Sequence, residues 1–421
     1  MTLAGKQVAI LGAGRSGRAA AALALREGAR VAVWDQAGAE AFVGLPEGVA
    51  THPGATAADG AGVRCDVLVV SPGIDTWGPY VAAFAQGAGE VIGEVELAAR
   101  YYAGRIIGIT GTNGKTTTTE LTARILAAAG LGGEPCGNYG TPFAEVVMRP
   151  QPPAAVALEL SSFQLETIRT LRPEVAVWLN FAPDHMDRYP TVQAYREAKE
   201  RIFLNQRPED TAVIRSGEQL GPLTARTVTF ATEGGADWTS DGLVVRRHDE
   251  VVLDLIQDTG LRGYHNAENA MAAMAACEAL GIPVDTMAPA LLGCAPPRHR
   301  CELIRTLDGV EYLNDSKATN LHALESALRS QVRPVVLIAG GKDKGLDYAP
   351  VLPLLARKTL ACITFGQIAH PLAKVFSGAV PATAVATLAD AVPLARSLAP
   401  RGSSVLLSPG TSSFDQFAGY Q

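Results

Sequence analysis

The sequence predicts an α/β protein of three domains, each a mainly parallel sheet flanked by helices. Three observations carry that prediction. The pattern strand, glycine turn, helix starts afresh three times, at "QVAILGAG" (7–14), "RIIGITGTNG" (105–114) and "PVVLIAGGKDKG" (334–345). Each apolar run is short and rich in Val and Ile, as expected of a strand buried on both faces of a parallel sheet. A chain of 421 residues also exceeds one ordinary core, at about 150 residues per domain. Boundaries fall near Glu94 and near Pro297, where "CAPPRHR" carries a proline pair. They give a Rossmann-like domain over 1–94, a P-loop-type domain over 95–297 and a second Rossmann-like domain over 298–421.

Composition removes several classes of function. Lys and Arg number 36 against 42 Asp and Glu, a net charge of −6 with no basic block. Nucleic acid as main partner would demand clustered cations, so it is not expected. No window reaches the ~18 uninterrupted apolar residues of a membrane span. "MTLAGKQVAILGAG" reads as a strand and turn rather than a signal peptide. The cysteines at 65, 136, 277, 294, 301 and 362 form no C-x-x-C. They are expected to be buried free thiols in a reducing compartment.

In the first domain, "GAGRSG" places Gly12, Gly14 and Gly17 in G-x-G-x-x-G after a strand, and Asp35 ends "RVAVWD". Such a turn lets the backbone approach a pyrophosphate, with the acidic residue on a ribose hydroxyl. The bland alternative is a glycine turn that only packs a helix on a strand. A second turn, "VVSPGI" with Ser71, Pro72 and Gly73, follows the strand "DVLVV". Ligands of open α/β sheets lie at the carboxyl ends of strands, so both turns could line one pocket. The domain has room for one half of a full dinucleotide fold. A nucleotide diphosphate suits it better than NAD, and an NAD-dependent oxidoreductase is the rival reading.

The second domain opens with "IIGITGTNGKTTTTE". A strict P-loop needs glycine where Ile109 stands. Gly111, Thr112, Asn113 and Gly114 still form a short amide-rich turn ahead of a helix, which favours polyphosphate. Lys115 supplies a point charge for the β- and γ-phosphates, Thr116 a hydroxyl for Mg²⁺, and Thr117 follows them. Two further strands end in polar groups: Glu159, Ser161 and Ser162 after "AAVALE", and Asn180, Asp184, His185 and Asp187 after "VAVWL". A carboxylate and an imidazole at neighbouring strand ends suit a divalent cation. The bland readings are a helix cap for Glu159, a loop histidine for His185 and a solvated helix lysine for Lys199 in "YREAKERIF".

In the third domain, Asp315, Lys317, Thr319 and Asn320 enter a helix, Lys342 and Lys344 follow one strand, and Ser408, Thr411, Ser412 and Ser413 follow another. Lysines and hydroxyls at strand ends are what a small dicarboxylate amino acid needs. Solvated turn lysines and helix caps are the alternative.

Together "GITGTNGKTT", "LELSSFQLE", "DHMDRYP", "YHNAENAMAA" and "NDSKATN" resemble the Mur ligases, from about Val8 to Tyr420. "DHMDRYP" and "NDSKATN" favour the branch that adds D-glutamate over its sister ligases. The resemblance implies a cytoplasmic, ATP-dependent carbon–nitrogen ligase of peptidoglycan precursor synthesis. It would add D-glutamate to UDP-N-acetylmuramoyl-L-alanine through an acyl phosphate, as a monomer, with ATP and two Mg²⁺. A sister ligase with another amino acid acceptor is the nearest alternative. The resemblance also assigns roles. Lys115 and Thr116 contact phosphate and Mg²⁺, and Glu159 and His185 bind metal. Lys199 becomes a carbamate, which turns an ammonium into a metal-binding anion and inverts the bland reading. Asn138 and Ser161 meet the muramoyl-alanine arm. Asn266, Asn269, Arg300, Asp315 and Lys317 lie on the ATP side. Gly14, Arg15, Ser16 and Asp35, with the Ser71 and Gly73 turn, hold the UDP group, although Gln36–Ala37 stands where relatives use an arginine for uracil. Thr319, Lys344 and Ser413 hold D-glutamate, with Tyr420 closing over it. It further implies a glycine-containing basic segment and a last helix beyond Gln421.

Overall fold

Each of the three glycine-ended runs forms a strand: Gln7–Leu11, Arg105–Thr110 and Val335–Gly340. Each is buried over nearly its whole length, because a run without polar alternation has no face to leave in water. The computed structural model describes residues 2–186, 188–295 and 299–419. The boundary expected at Pro297 lies outside the described residues, as do Asp187 and Tyr420. The architecture is three-domain α/β, with one main sheet per domain. By contacts the chain divides into two compact units. The first comprises Met1–Phe230, Gly235–Asp237 and Ala270–Leu291, and the second comprises Ala231–Gly234, Trp238–Asn269 and Leu292–Gln421.

The first unit holds two parallel sheets. One runs Ala50–Pro53, Arg30–Asp35, Gln7–Leu11, Cys65–Val70, Ala88–Gly93 in spatial order. Its order reverses beside Gln7–Leu11, so the turns after that strand and after Cys65–Val70 open at the same sheet edge. In the other sheet Arg105–Thr110 lies between Ala155–Glu159 and Val175–Trp178, with Ile109 opposite Glu159 and Thr110 opposite Trp178. Three chain ends therefore converge there: the glycine turn, the Glu159 end and the Asn180 end.

The first two domains share a core. Helix Arg15–Arg26, "RSGRAAAALALR", packs against helices Glu94–Ala99 and Phe143–Val147. Its alanines leave room for close approach, and one cluster runs from Leu3 and Val8 through Leu97 and Phe143 to Ile202. Buried carboxylates tie the seam. Glu96, fully buried, accepts from the amides of Arg169 (2.9 Å), Thr170 (3.0 Å) and Leu171 (2.8 Å), from the Thr170 hydroxyl (2.7 Å) and from Arg100 Nε (2.9 Å). Glu94 Oε1 accepts from the Ala144 amide at 2.6 Å, capping helix Phe143–Val147.

The second unit carries antiparallel strands Trp238–Ser240, Val244–Arg247 and Glu250–Asp254. It also holds a sheet ordered Glu302–Leu307, Val310–Asn314, Ser404–Leu407, Val335–Gly340, Thr359–Phe365, Ala382–Ala384. Only the first pair of that sheet is antiparallel. Among the described residues no helix is long and apolar enough to cross a membrane. All six cysteines are free, but Cys65 and Cys301 are only half-buried, short of the full burial expected.

Candidate functional site

At the first-domain edge the glycine turn is built by close approach. A Cβ on Gly17 would sit 1.8 Å from the Gly12 carbonyl oxygen, whereas one on Gly14 or Gly73 would meet nothing within 4 Å. Gly17 thus packs the helix onto the turn, and Gly14 and Gly73 leave open space beside it. Asp35 spends both oxygens on backbone, accepting from Ala13 at 2.7 Å and Ala37 at 2.9 Å. Its carboxylate therefore orders the turn. Ser71 Oγ reaches the Gly12 carbonyl at 3.4 Å, which joins the two turns. Arg15 Nη2 donates to Gly140 O at 2.9 Å, and Ser16 is half-buried beside it in the first turn of the helix.

In the central domain Ile109 is a strand residue with no exposure, so the tight turn begins two residues later. Gly111 has φ 152°, and a Cβ there would lie 2.9 Å from Leu179 Cβ. Asn180 holds the turn from the adjacent strand end. Its Oδ1 accepts from Asn113 N at 2.9 Å, its Nδ2 donates to Asn113 O at 3.1 Å, and its carbonyl accepts from Thr112 N at 3.0 Å. Helix Lys115–Ala128 then starts at Gly114, its first amides facing the turn. Lys115 Nζ folds back onto the carbonyls of Gly111 and Thr112, both at 2.9 Å. Thr116 and Thr117 are buried, and Thr117 Oγ1 has no hydrogen-bond partner.

Lys199 corrects its bland reading. It is 2% exposed, and its Nζ donates to the same Gly111 carbonyl at 2.9 Å. Burial drives its pKa well below the usual lysine value. Lys115 pushes it the same way, and Asp184 and Glu159 oppose. Helix Val192–Glu200 is amphipathic, and Lys199 lies on its buried face with Tyr195 and Ala198. Glu159 is likewise no helix cap. Ser161 takes that role, accepting from Gln164 N at 3.2 Å. Glu159 is buried, with Oε1 accepting from Asn138 Nδ2 at 2.7 Å and Oε2 without a partner. A buried carboxylate oxygen left unsatisfied is what a divalent cation would complete. His185 sits at φ 57°, its ring half-exposed and edge-on to Phe163 (5.0 Å) and Tyr195 (5.9 Å). Among the described residues no three His, Cys, Asp or Glu side chains converge as a ready metal cluster. A metal here would draw on Glu159 together with Thr116, His185 or a modified Lys199.

The residue-by-residue reading passes over Arg188, though it lies inside "DHMDRYP". Its Nη1 and Nη2 donate to Pro72 O and Ile74 O, each at 2.8 Å, and its guanidinium lies 3.9 Å above the Phe163 ring. No periodicity marks such a reach across more than a hundred residues. The signal was only the motif itself.

The second unit gathers its own candidates. Asn266 and Asn269 are buried on helix Tyr264–Ala279, with Asn266 Nδ2 donating to Arg262 O at 2.9 Å and Asn269 Nδ2 to Asn266 Oδ1 at 3.4 Å. Arg300 has a buried Nε without a partner. Burial, then Arg300, pushes His265 down to about 4. Asp315, raised to about 7 by burial, accepts from Ser408 Oγ at 2.9 Å and Cys301 N at 3.2 Å. Lys317 bonds through its amide to His299 O at 3.3 Å. Lys344 Nζ reaches the Thr319 carbonyl at 3.2 Å. The Lys342 amide donates to Ser412 O at 2.8 Å, bringing the turns that carry Lys344 and Ser413 side by side. The Ser413 carbonyl accepts from Gln416 N at 3.1 Å and Phe417 N at 2.9 Å.

Comparison with known proteins adds an independent line. Three family descriptions match in succession: Mur ligase MurD-like N-terminal domain over 6–93, Mur ligase middle domain over 109–277, and Mur ligase glutamate ligase domain over 299–410. The sequence is 40% identical to the UDP-N-acetylmuramoylalanine–D-glutamate ligase of Myxococcus xanthus, covering 100% of this chain and 97% of that protein. It is 39% identical to the enzyme of the same name from Geobacter metallireducens, covering 100% and 96%. Among solved structures, a type C pseudomurein peptide ligase from Methanothermus fervidus superposes with TM-score 0.61 at 18% identity, covering 96% of each chain. The UDP-N-acetylmuramate-alanine ligase of Thermotoga maritima does so with TM-score 0.59 at 18% identity, again over 96% of each. At that identity the two structures speak to the fold alone.

Proposed function

The chain belongs to the Mur ligase family, and from that premise we propose that it uses ATP to join D-glutamate to UDP-N-acetylmuramoyl-L-alanine. The observation that carries the chemistry is the Gly111–Lys115 turn, flanked by the half-satisfied Glu159 and the buried Lys199. Relatives sharing about 40% of the sequence bear the name of that activity. The matched segments also support domains bounded near Glu94 and Pro297.

In this reading the amides of Gly111–Gly114 and the helix start cradle the triphosphate, with Thr117 beside them and Lys115 leaving its two carbonyls for the β/γ bridge. Magnesium, held by Thr116, Glu159 and His185, would neutralise phosphate charge. The Lys199 amine, kept neutral by burial, would add to CO₂ and release a proton, giving an anionic carbamate able to join Thr116, Glu159 and His185 in holding the metal. The substrate carboxylate, oriented by Asn138 and Ser161, takes the γ-phosphoryl group. The D-glutamate amine then attacks the acyl carbon, phosphate leaves, and His185 positions the amine or accepts its proton. Gly14, Arg15, Ser16, Ser71 and Gly73 hold the UDP end, with Asp35 ordering the turn. Asn266, Asn269, Arg300, Asp315 and Lys317 serve the nucleotide, and Thr319, Lys344 and Ser413 the incoming amino acid. Tyr420 is assigned on resemblance alone. The enzyme would work in the cytoplasm as a monomer.

The test is phosphate release with ATP, magnesium, bicarbonate and the muramoyl nucleotide, comparing D-glutamate with L-glutamate, L-alanine and diaminopimelate. D-glutamate alone should support turnover. Preference for another acceptor would point to a sister ligase, and no release with any of them would overturn the reading.

A further inference from the structure

Resting on that reading, we propose that Arg188 is a positioning residue that sets the distance between the two halves of the muramoyl nucleotide site. Its side chain, only 11% exposed, leaves the central domain and binds the first-domain loop on both sides of Gly73, at Pro72 O and Ile74 O. The guanidinium is fixed from below by the Phe163 ring at 3.9 Å and from the side by Glu166 Oε2, 3.6 Å from Nη2. Glu166, almost fully buried, also accepts the hydroxyls of Thr76 and Tyr189. Arg188 thus pins one end of the loop from the segment after strand Val175–Trp178, and Glu166 pins the other from the segment after strand Ala155–Glu159, which carries Ser161.

That segment matters because the ligand has two ends. Its diphosphate would lie at the joined Gly12 and Ser71 turns, and its reacting carboxylate at Asn138 and Ser161. Each half-site is small and built on its own sheet edge. A ligand that bridges two sites gains affinity only while their spacing matches its length. Arginine suits the task because its rigid planar fork donates to two carbonyls from separate nitrogens while its face stacks on an aromatic ring, whereas a lysine ammonium offers neither the fork's fixed spacing nor a face to stack. A mismatch of about an ångström at the reacting end is enough to degrade the attack geometry.

The experiment uses the full chain and its Arg188→Lys, Arg188→Met and Phe163→Leu variants. Melting temperature confirms folding, steady-state assays give KM for each substrate, and calorimetry gives the affinity for UDP alone. We expect both Arg188 variants to raise KM for the muramoyl nucleotide by about 10-fold or more, with UDP affinity and KM for ATP within about 2-fold of the parent. Phe163→Leu, which keeps the fork but loosens its seat, should fall between, and it carries the test if the Arg188 variants do not fold. An unchanged muramoyl KM, full rescue by lysine, or a parallel loss of UDP affinity would overturn the assignment. A parent protein that releases no phosphate with D-glutamate would overturn the functional reading and this inference with it. A working parent with indifferent variants would overturn the inference alone.

Discussion

At the scale of single residues, two lysines share one carbonyl: Lys115 and Lys199 both donate to Gly111 O. The turn ahead of Lys115 was legible, because glycines after a strand and before a lysine and threonines signal a tight entry into a helix, which here starts at Gly114. Ile109 was misleading only against a strict template, and its place in a strand shows the turn to be shorter. Lys199 was not legible from its neighbours: "YREAKERIF" is polar, and nothing local says that its lysine is buried against Gly111. The same holds for Arg188, whose partners lie far away in sequence. Burial of Lys199 yields a prediction. An amine held neutral reacts with CO₂, so protein equilibrated with ¹³C-bicarbonate should show one slowly exchanging carbamate resonance, lost in Lys199→Arg. A spectrum without that resonance in the parent would remove the carbamate from the mechanism.

At the scale of elements, the strand ends were readable and the seams between domains were not. The apolar runs named the strands, and their glycine or hydroxyl endings named the edge that carries the candidate residues. Helix Glu94–Ala99 looked like the start of a new domain, yet its two carboxylates are buried partners of distant backbone. Burial, with Glu145 adding to it, raises Glu94 to about 7 against the cap bond from Ala144. A carboxyl with a raised folded value contributes its full stability below the unfolded value of about 4.3, and that contribution is lost as pH rises through about 7. The ionised form at about pH 8 should therefore cost on the order of 3 kcal/mol relative to about pH 5. Glu94→Gln keeps an acceptor for the Ala144 amide and removes the charge. Its urea midpoint should fall less than the parent's between those pH values, and equal slopes would show Glu94 to be neutralised some other way.

At the scale of the whole molecule, three sheets were expected and three are present, but packing unites the first two. Alternating strands and helices report sheets, not which helices share a core. The buried alanines of Arg15–Arg26 belong to the same cluster as Leu97 and Phe143 and as the strands of the first sheet. Calorimetry should accordingly resolve two unfolding transitions rather than three, and a third separable transition at low temperature would argue that the first sheet melts alone. The same shared core bears on exchanging parts among relatives. A middle segment excised near residue 94 would turn a wall of leucine, valine and phenylalanine toward solvent. Whoever wishes to graft a new acceptor preference onto this scaffold faces one constraint from it: the segments that share this core must travel as one cassette.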